Sequence, residues 1–434
     1  MYNVLESPLN YGGITLKNRI IFAPTTLGLP REEQLQRLRE IAAGGYAMII
    51  IGDVPVLPHG FGPSLYNKRG FAWYRDLADT AHREGCLICA QLHQSDSNFK
   101  GMMKYIPGVL AGQISQDELR EILNRNVGPY ISGLPEKKVN EITSAFGTAA
   151  ELAVQASFDM VQVHGDRMCG SFSSSVFNSR SDRYGGSTEK RARFAVEAVS
   201  SIRSKLPGLP IDYKLAVRLE HPHYGNAGVL EEELGVFLPL LEQAGVTSFH
   251  VTLADHGKIS DTIPPRNHPY FGEEGCFLRF CDTVRGLTKL PVCAVGGLTD
   301  PAFVEEQLEA RCMDCIAMSR QLIADADWPR KVMEGREREI NRCIRCNKEC
   351  LGGMMSHRGV HCIYERKDKK WVIQSFTAAV QAILPSWPRP SGKRFRRRTA
   401  SISASRTQRL WRLRQYTWAF GPTKAAATRQ APSF

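Results

Sequence analysis

The chain has 434 residues, 43% of them hydrophobic and 23% charged, which excludes a disordered or fibrous class and allows a large core. Its formal net charge of +12 is confined to the end: residues 371–434 hold ten Arg, two Lys and no Asp or Glu, leaving 44 basic and 44 acidic side chains before them. A balanced body has no global electrostatic reason to seek nucleic acid or a charged membrane; with no signal peptide in MYNVLESPLN and only a short greasy run at 47–51, a cytoplasmic protein is expected.

Short β-rich runs recur along the chain, each followed by a helical pattern. Strands are predicted over 19–24, 46–52, 87–93, 160–164, 214–219, 248–253, 291–295 and 314–318. Most are continuous apolar stretches such as AMIII and VCAV, as expected of strands covered on both faces. Helices are predicted over 31–43, 137–156, 188–206, 231–244 and 301–309, with Asp300 and Ser187 placed to cap two of them. Eight strands alternating with helices predict an α/β chain folded as a (β/α)8 TIM barrel. The competitor, an open doubly wound sheet, lacks its fingerprint: no G-x-G-x-x-G follows a strand, and Gly60-Phe61-Gly62 is a fragment of one. The connection 95–134 is long, weakly helical near 116–124, and is expected to hang over the barrel's C-terminal mouth as a lid.

The C-terminal ends of these strands carry Pro24-Thr25-Thr26, Gly52-Asp53, Gln91-Leu92-His93, His164, Arg218, Gly296-Gly297 and Ser319-Arg320. Any one of them alone reads as a structural residue. Together, amide, imidazole, guanidinium and glycine groups at seven of eight ends point to a site. Gly296-Gly297 after the seventh strand, with Ser319-Arg320 after the eighth, suit a phosphate: bare backbone N–H groups and a cation cradle a dianion. The Gln91 amide can pair with the N–H and C=O of a heterocycle, and Arg218 can offset negative charge on a reduced ring.

The blocks PLNYGGITLKNRIIFAP at 8–24, RSDRYGGSTEKRARFAVE at 180–197, AVGGLTD at 294–300 and SRQLIADADWPRK at 319–331 resemble the old yellow enzyme family. The likeness is to its branch of 2,4-dienoyl-CoA reductases and clostridial 2-enoate reductases, and it covers about residues 5–366. The resemblance implies FMN held in the barrel and hydride transfer from flavin N5 to the β-carbon of an activated alkene. By position it implies that Pro24, Thr25 and Thr26 lie against the N5/O4 edge, with Gly52 beside the ring. Gln91 then meets the pyrimidine edge, Arg218 is the cation near N1/O2, and Gly297 and Arg320, with Gly296 and Ser319 flanking, grip the phosphate. His164 would bond the substrate's carbonyl oxygen. A tyrosine that protonates the α-carbon in such relatives is missing: HGDRMCGSF puts Arg167 or Cys169 at that position. Cys169, Asp166, a lid residue or water is left as proton donor.

Four of the twelve cysteines crowd into NRCIRCNKECLGGMMSHRGVHC as Cys343-x2-Cys346-x3-Cys350-x11-Cys362. Such thiolates satisfy either tetrahedral zinc or a four-iron cubane. The resemblance implies a [4Fe-4S] cluster, since this spacing after an FMN barrel is that of the dienoyl-CoA reductase branch. His357 and His361, in the same loop, are expected on the surface rather than as ligands. The domain reading is thus an FMN barrel over 1–335, a cluster segment over 336–370 and a basic tail over 371–434.

In the relatives a FAD- and NAD(P)-binding module follows the cluster, whereas this chain has an acid-free stretch without a dinucleotide fingerprint. Three readings stand: a shifted reading frame over a lost FAD domain, a basic arm for nucleic acid or anionic lipid, and a protein-docking tail. FAD is expected only with a complete C-terminal domain. Otherwise NAD(P)H reduces FMN at the barrel mouth, or a separate flavoprotein or ferredoxin supplies electrons. The function expected is an FMN/[4Fe-4S] ene-reductase acting on a small unsaturated carbonyl, enoate or enoyl-CoA substrate, with a homo-oligomer compatible. The alternatives are an amine dehydrogenase or N-demethylase on the same scaffold, and an inactive truncated flavoprotein or basic-tail binding protein.

Overall fold

The structure is a computed structural model that describes residues 2–58, 62–97, 104–356 and 358–365; the predicted tail and His357 lie outside the described residues. An antiparallel hairpin, β1 (Leu9–Tyr11) and β2 (Ile14–Leu16), opens the fold. Eight parallel strands follow: β3 (Ile20–Phe22), β4 (Met48–Pro55), β5 (Leu87–His93), β6 (Met160–His164), β7 (Ile211–Arg218), β9 (Ser248–Thr252), β10 (Val292–Ala294) and β11 (Cys315–Met318). Each pairs with the next, and β11 pairs back onto β3, so the ring closes. A two-residue strand, β8 (Val229–Leu230), pairs outside the ring with the last residues of β7. The barrel is therefore the predicted one. The fifth predicted strand starts late, because β7 begins at Ile211.

The strands are apolar on both sides because they are covered on both sides. Ile21, Met48, Cys89, Met160, Cys293 and Cys315 fill the lower interior, where Tyr11 and Leu16 of the hairpin close the floor. Phe22, Ile49, Ile88, Val161 and Val163 face outward into a second layer under the helices. Helix Arg31–Ala43 buries Leu38, Ile41 and Ala42, one face of a 3.6-residue repeat. Asp300 caps helix Pro301–Glu309, accepting from Ala302 N at 2.9 Å. Ser187 precedes Thr188–Lys205 as expected, but its side chain makes no capping bond to the helix backbone.

The N-S-R-S-D-R-Y block that carries the family likeness is a brace. Asn178 Nδ2 donates to the carbonyls of Phe172 and Tyr184 at 2.6 and 2.7 Å, and Arg180 Nη1 donates to those of Ile131 and Leu134 at 2.9 and 2.7 Å. It ties the turn after β6 to helix Gln116–Gly133, which runs further than the predicted 116–124 and carries Pro129 inside it. No described residue of 95–134 lines the cavity at the mouth, while Asn124 of this stretch accepts from Asn226 Nδ2 at 3.4 Å in the loop after β7.

Candidate active site

Above the apolar floor the barrel interior turns polar, and a cavity of about 330 Å3 opens at the C-terminal strand ends. That size suits a small organic ligand. On one side, β3 ends in Pro24, Thr25 and Thr26; Thr25 Oγ1 donates to Ser319 Oγ at 2.7 Å, joining the ends of β3 and β11. In β4 the register slips between Ile51 and Val54, which turns Gly52 and Asp53 toward the cavity, Asp53 with φ +55°.

After β10, Gly296 and Gly297 take φ of +116° and +71°. A β-carbon on Gly296 would stand 2.7 Å from the Phe277 ring, and one on Gly297 would stand 2.5 Å from Arg345 Nη1. At both positions the positive φ strains any side chain, and at Gly296 a β-carbon would also meet the Phe277 ring, so bare backbone is left facing the cavity. Arg320 reaches the same wall, with Nη1 donating to Pro264 O at 2.8 Å and Asn347 Oδ1 at 2.7 Å.

A buried polar column sets the opposite side. Gln91 Nε2 donates to Gln162 Oε1 at 2.6 Å, and Gln162 Nε2 donates to Asp212 Oδ2 at 2.5 Å. Asp212 Oδ1 accepts from Tyr11 Oη at 2.9 Å and Ser248 Oγ at 2.7 Å. Burial pushes the Asp212 carboxyl up to about 6 despite these donors. The column pins the Gln91 amide with its nitrogen downward.

Beside it stands a charged group. His164 Nε2 faces Asp166 Oδ1, while its Nδ1 lies 3.1 Å from His93 Nδ1. Lys214 Nζ lies 3.9 Å from Asp166 Oδ2. Burial alone would raise the Asp166 carboxyl, but His164 and Lys214 hold it well below the usual range. Burial pushes His93 down to about 4 and His250 to about 3, with Lys214 and His164 adding to the effect at His250. In both imidazoles burial favours the neutral form.

Cys343, Cys346, Cys350 and Cys362 converge on a second cavity of about 20 Å3, lined also by Arg320, Ile323 and His361. Cys343, Cys350, Arg320 and Ile323 line both cavities, so the two share a wall.

Residues 5–339 match the model of the NADH:flavin oxidoreductase / NADH oxidase family. The chain belongs to this family. A bilirubin reductase from Clostridium symbiosum (strain WAL-14163) is 60% identical over 368 residues, 85% of this chain and 99% of that one. A bilirubin reductase from Mediterraneibacter gnavus (strain CC55_001C) is 32% identical across 83% of this chain and 56% of its own length. The chain thus spans about half the length of that relative. Among solved structures, 2-naphthoyl-CoA reductase with its 2-naphthoyl-CoA ligand superposes with a TM-score of 0.68 at 21% identity, covering 84% of this chain and 57% of that one. That likeness bears on the fold alone.

As a member of the NADH:flavin oxidoreductase family, the chain is a flavin oxidoreductase, and its cavity fits a flavin. The glycine pair leaves an anion cradle, Gln91 presents an oriented amide, and His250 Nε2 is buried in the lining with no hydrogen-bond partner among the described residues. Pro24, Thr25, Thr26, Gly52, Gln91, His164, Arg167, Gly296, Gly297, Ser319 and Arg320, all expected from the sequence, line this one cavity.

Three expectations need correction in placement. Arg218 does not line the cavity: barrel pairing of β7 with β9 ends at Ala216, Val217 and Arg218 pair with β8 instead, and the Arg218 guanidinium bonds Ser175 Oγ. The interior cation of that strand is Lys214. Cys169 lies in helix Met168–Ser173, packed in the layer outside the barrel, where burial pushes its thiol well up. His361 is 7% exposed and lines the four-cysteine cavity, not the surface. Lys214 and His250, which the strand-end pattern does not reach, lie inside β7 and β9 and face the cavity. The signal was available: a charged or polar residue inside a strand covered on both faces must have an interior partner. Among the described residues no helix is long and apolar enough to cross a membrane.

Proposed function

We propose that this enzyme is an FMN-dependent reductase of a carbonyl-conjugated C=C bond, that Cys343, Cys346, Cys350 and Cys362 hold a [4Fe-4S] cluster, and that its substrate is bilirubin or a close linear tetrapyrrole. The carrying observation is the shared wall: the polar cavity and the four-thiol cavity meet at Arg320, Ile323, Cys343 and Cys350. A one-electron relay beside a flavin needs a redox-active metal, which zinc is not. The substrate class is supported by the 60% identity to a bilirubin reductase along nearly its whole length. Bilirubin's methine double bonds are conjugated to lactam carbonyls, as hydride addition requires.

Bound FMN would supply the hydride and accept electrons singly from the cluster. The chain's residues would position and polarise. Gly296, Gly297, Ser319 and Arg320 hold the phosphate; Gln91 and Lys214 serve the polar edge of the ring, with Pro24, Thr25, Thr26 and Gly52 along the other rim. His164 and Arg167 face the substrate's carbonyl oxygen, where negative charge grows as hydride arrives, so donors fixed there favour the transition state. Asp166 is held ionised and Cys169 lies off the cavity, so neither supplies the α-carbon proton. That leaves His164, an imidazole of the lining whose Nε2 stands against Asp166 Oδ1, as the side chain proposed to pass the proton. Electrons arrive from NAD(P)H at the mouth or from a separate flavoprotein or ferredoxin.

Anaerobically purified chain tests this directly. The expected preparation carries FMN and about four iron atoms per chain and bleaches bilirubin with NADH or with reduced ferredoxin. A colourless, flavin-free protein would end the proposal. Oxidation of methylated amines without bilirubin turnover would replace it with the amine-dehydrogenase alternative.

A further inference from the structure

Resting on the flavin reading, we propose that Arg345, in the middle of the four-cysteine segment, is a cation of the FMN phosphate site. Arg345 is 7% exposed, and its guanidinium lies against Gly297 in the wall of the larger cavity. Its partners are the carbonyls of Glu273 at 2.9 Å, Phe271 at 3.4 Å and Gly272. Among the described residues no carboxylate pairs with it. A buried cation held only by neutral acceptors calls for an anion, and the one cradle it touches is the glycine pair suited to a phosphate.

The backbone aims it there. Arg345 and Asn347 take φ of +50° and +56°, a left-handed conformation that a β-carbon disfavours and that surrounding contacts must hold. The Arg345 N–H donates to Cys343 Sγ at 3.4 Å, tying its backbone to one of the four cysteines while its side chain lines the larger cavity. Asn347 Oδ1 accepts from Arg320 Nη1 at 2.7 Å, so the same segment also orients the second cation of the cradle. Phosphate binding is thereby built partly from the metal-site loop. The bland alternative is that Arg345 merely staples the 271–273 turn.

Flavin-stripped full-length protein, titrated with FMN and separately with riboflavin, which has the ring and no phosphate, separates the two. Arg345→Met is expected to weaken FMN about ten- to a hundredfold and to leave riboflavin affinity unchanged, with Arg345→Lys between Met and wild type. Equal loss for both flavins would mean a staple, and unchanged FMN affinity would remove Arg345 from the site; either overturns the proposal. A wild-type chain that binds neither flavin would sink the flavin reading itself, and this inference with it.

Discussion

Whether Lys214 or Arg218 answers the charge of a reduced flavin decides between the pattern of the sequence and the geometry of the barrel. Lys214→Met removes an interior ammonium of nearly the same length. At an effective dielectric near 20, an ammonium about 4 Å from an anion is worth roughly 4 kcal/mol. Asp166 already sits 3.9 Å from Nζ, so Lys214 is partly neutralised. Its effect on a second anion should then fall to that of one charge-assisted hydrogen bond, about 1.5–3 kcal/mol. For a two-electron couple that is a drop of about 30–65 mV in the flavin potential. Arg218→Met should behave differently. Arg218 is 2% exposed, bonded to Ser175 and close to Glu233 and Glu220, so its loss should cost about 1–3 kcal/mol of stability. The flavin potential should not move. Dye-equilibrated reductive titration and denaturant unfolding of both variants supply the comparison. A potential that falls in Arg218→Met and holds in Lys214→Met would refute the placement of the two side chains.

Gly297→Ala puts a methyl 2.5 Å from Arg345 Nη1 at a residue with φ +71°, and equilibrium dialysis should show FMN retention reduced more than about tenfold; undiminished binding would count against the glycine cradle. Gln162→Leu strips partners from Gln91 and Asp212. It should cost about 1–3 kcal/mol by urea unfolding, with a double variant that adds Asp212→Asn losing less than the sum of the singles. The third concerns pH. His93 is pushed down to about 4 by burial while an unfolded histidine titrates near 6.5, so the unfolded chain takes up the proton first. Stability should therefore fall as pH drops from about 6.5 to about 4, by up to roughly 3 kcal/mol for this group. His93→Phe should show a shallower acid limb, and identical limbs would argue that the folded chain does not hold His93 neutral.

Much of this protein was legible in the chain itself. Strand alternation marked the barrel because strands covered on both faces must be apolar, and runs such as Ile49–Ile50 and Val292–Ala294 have no other use. Local chemistry pointed to the glycine wall, since Gly296-Gly297 and Ser319-Arg320 close consecutive strands, and the spacing of Cys343, Cys346, Cys350 and Cys362 pointed to four thiols around one small cavity. What could not be read were relations between distant segments. Arg218 and Lys214 lie on one strand, and only the point where β7 leaves β9 for β8 decides which of them the barrel encloses. Arg345 stands between two cysteines in the sequence, and only the fold lays it against Gly297, which precedes it by 48 positions. Sequence carries periodicity and residue chemistry because both are local. Enclosure, and which charges face one another, belong to the closed ring alone, because a cavity exists only after strands far apart in the chain have met.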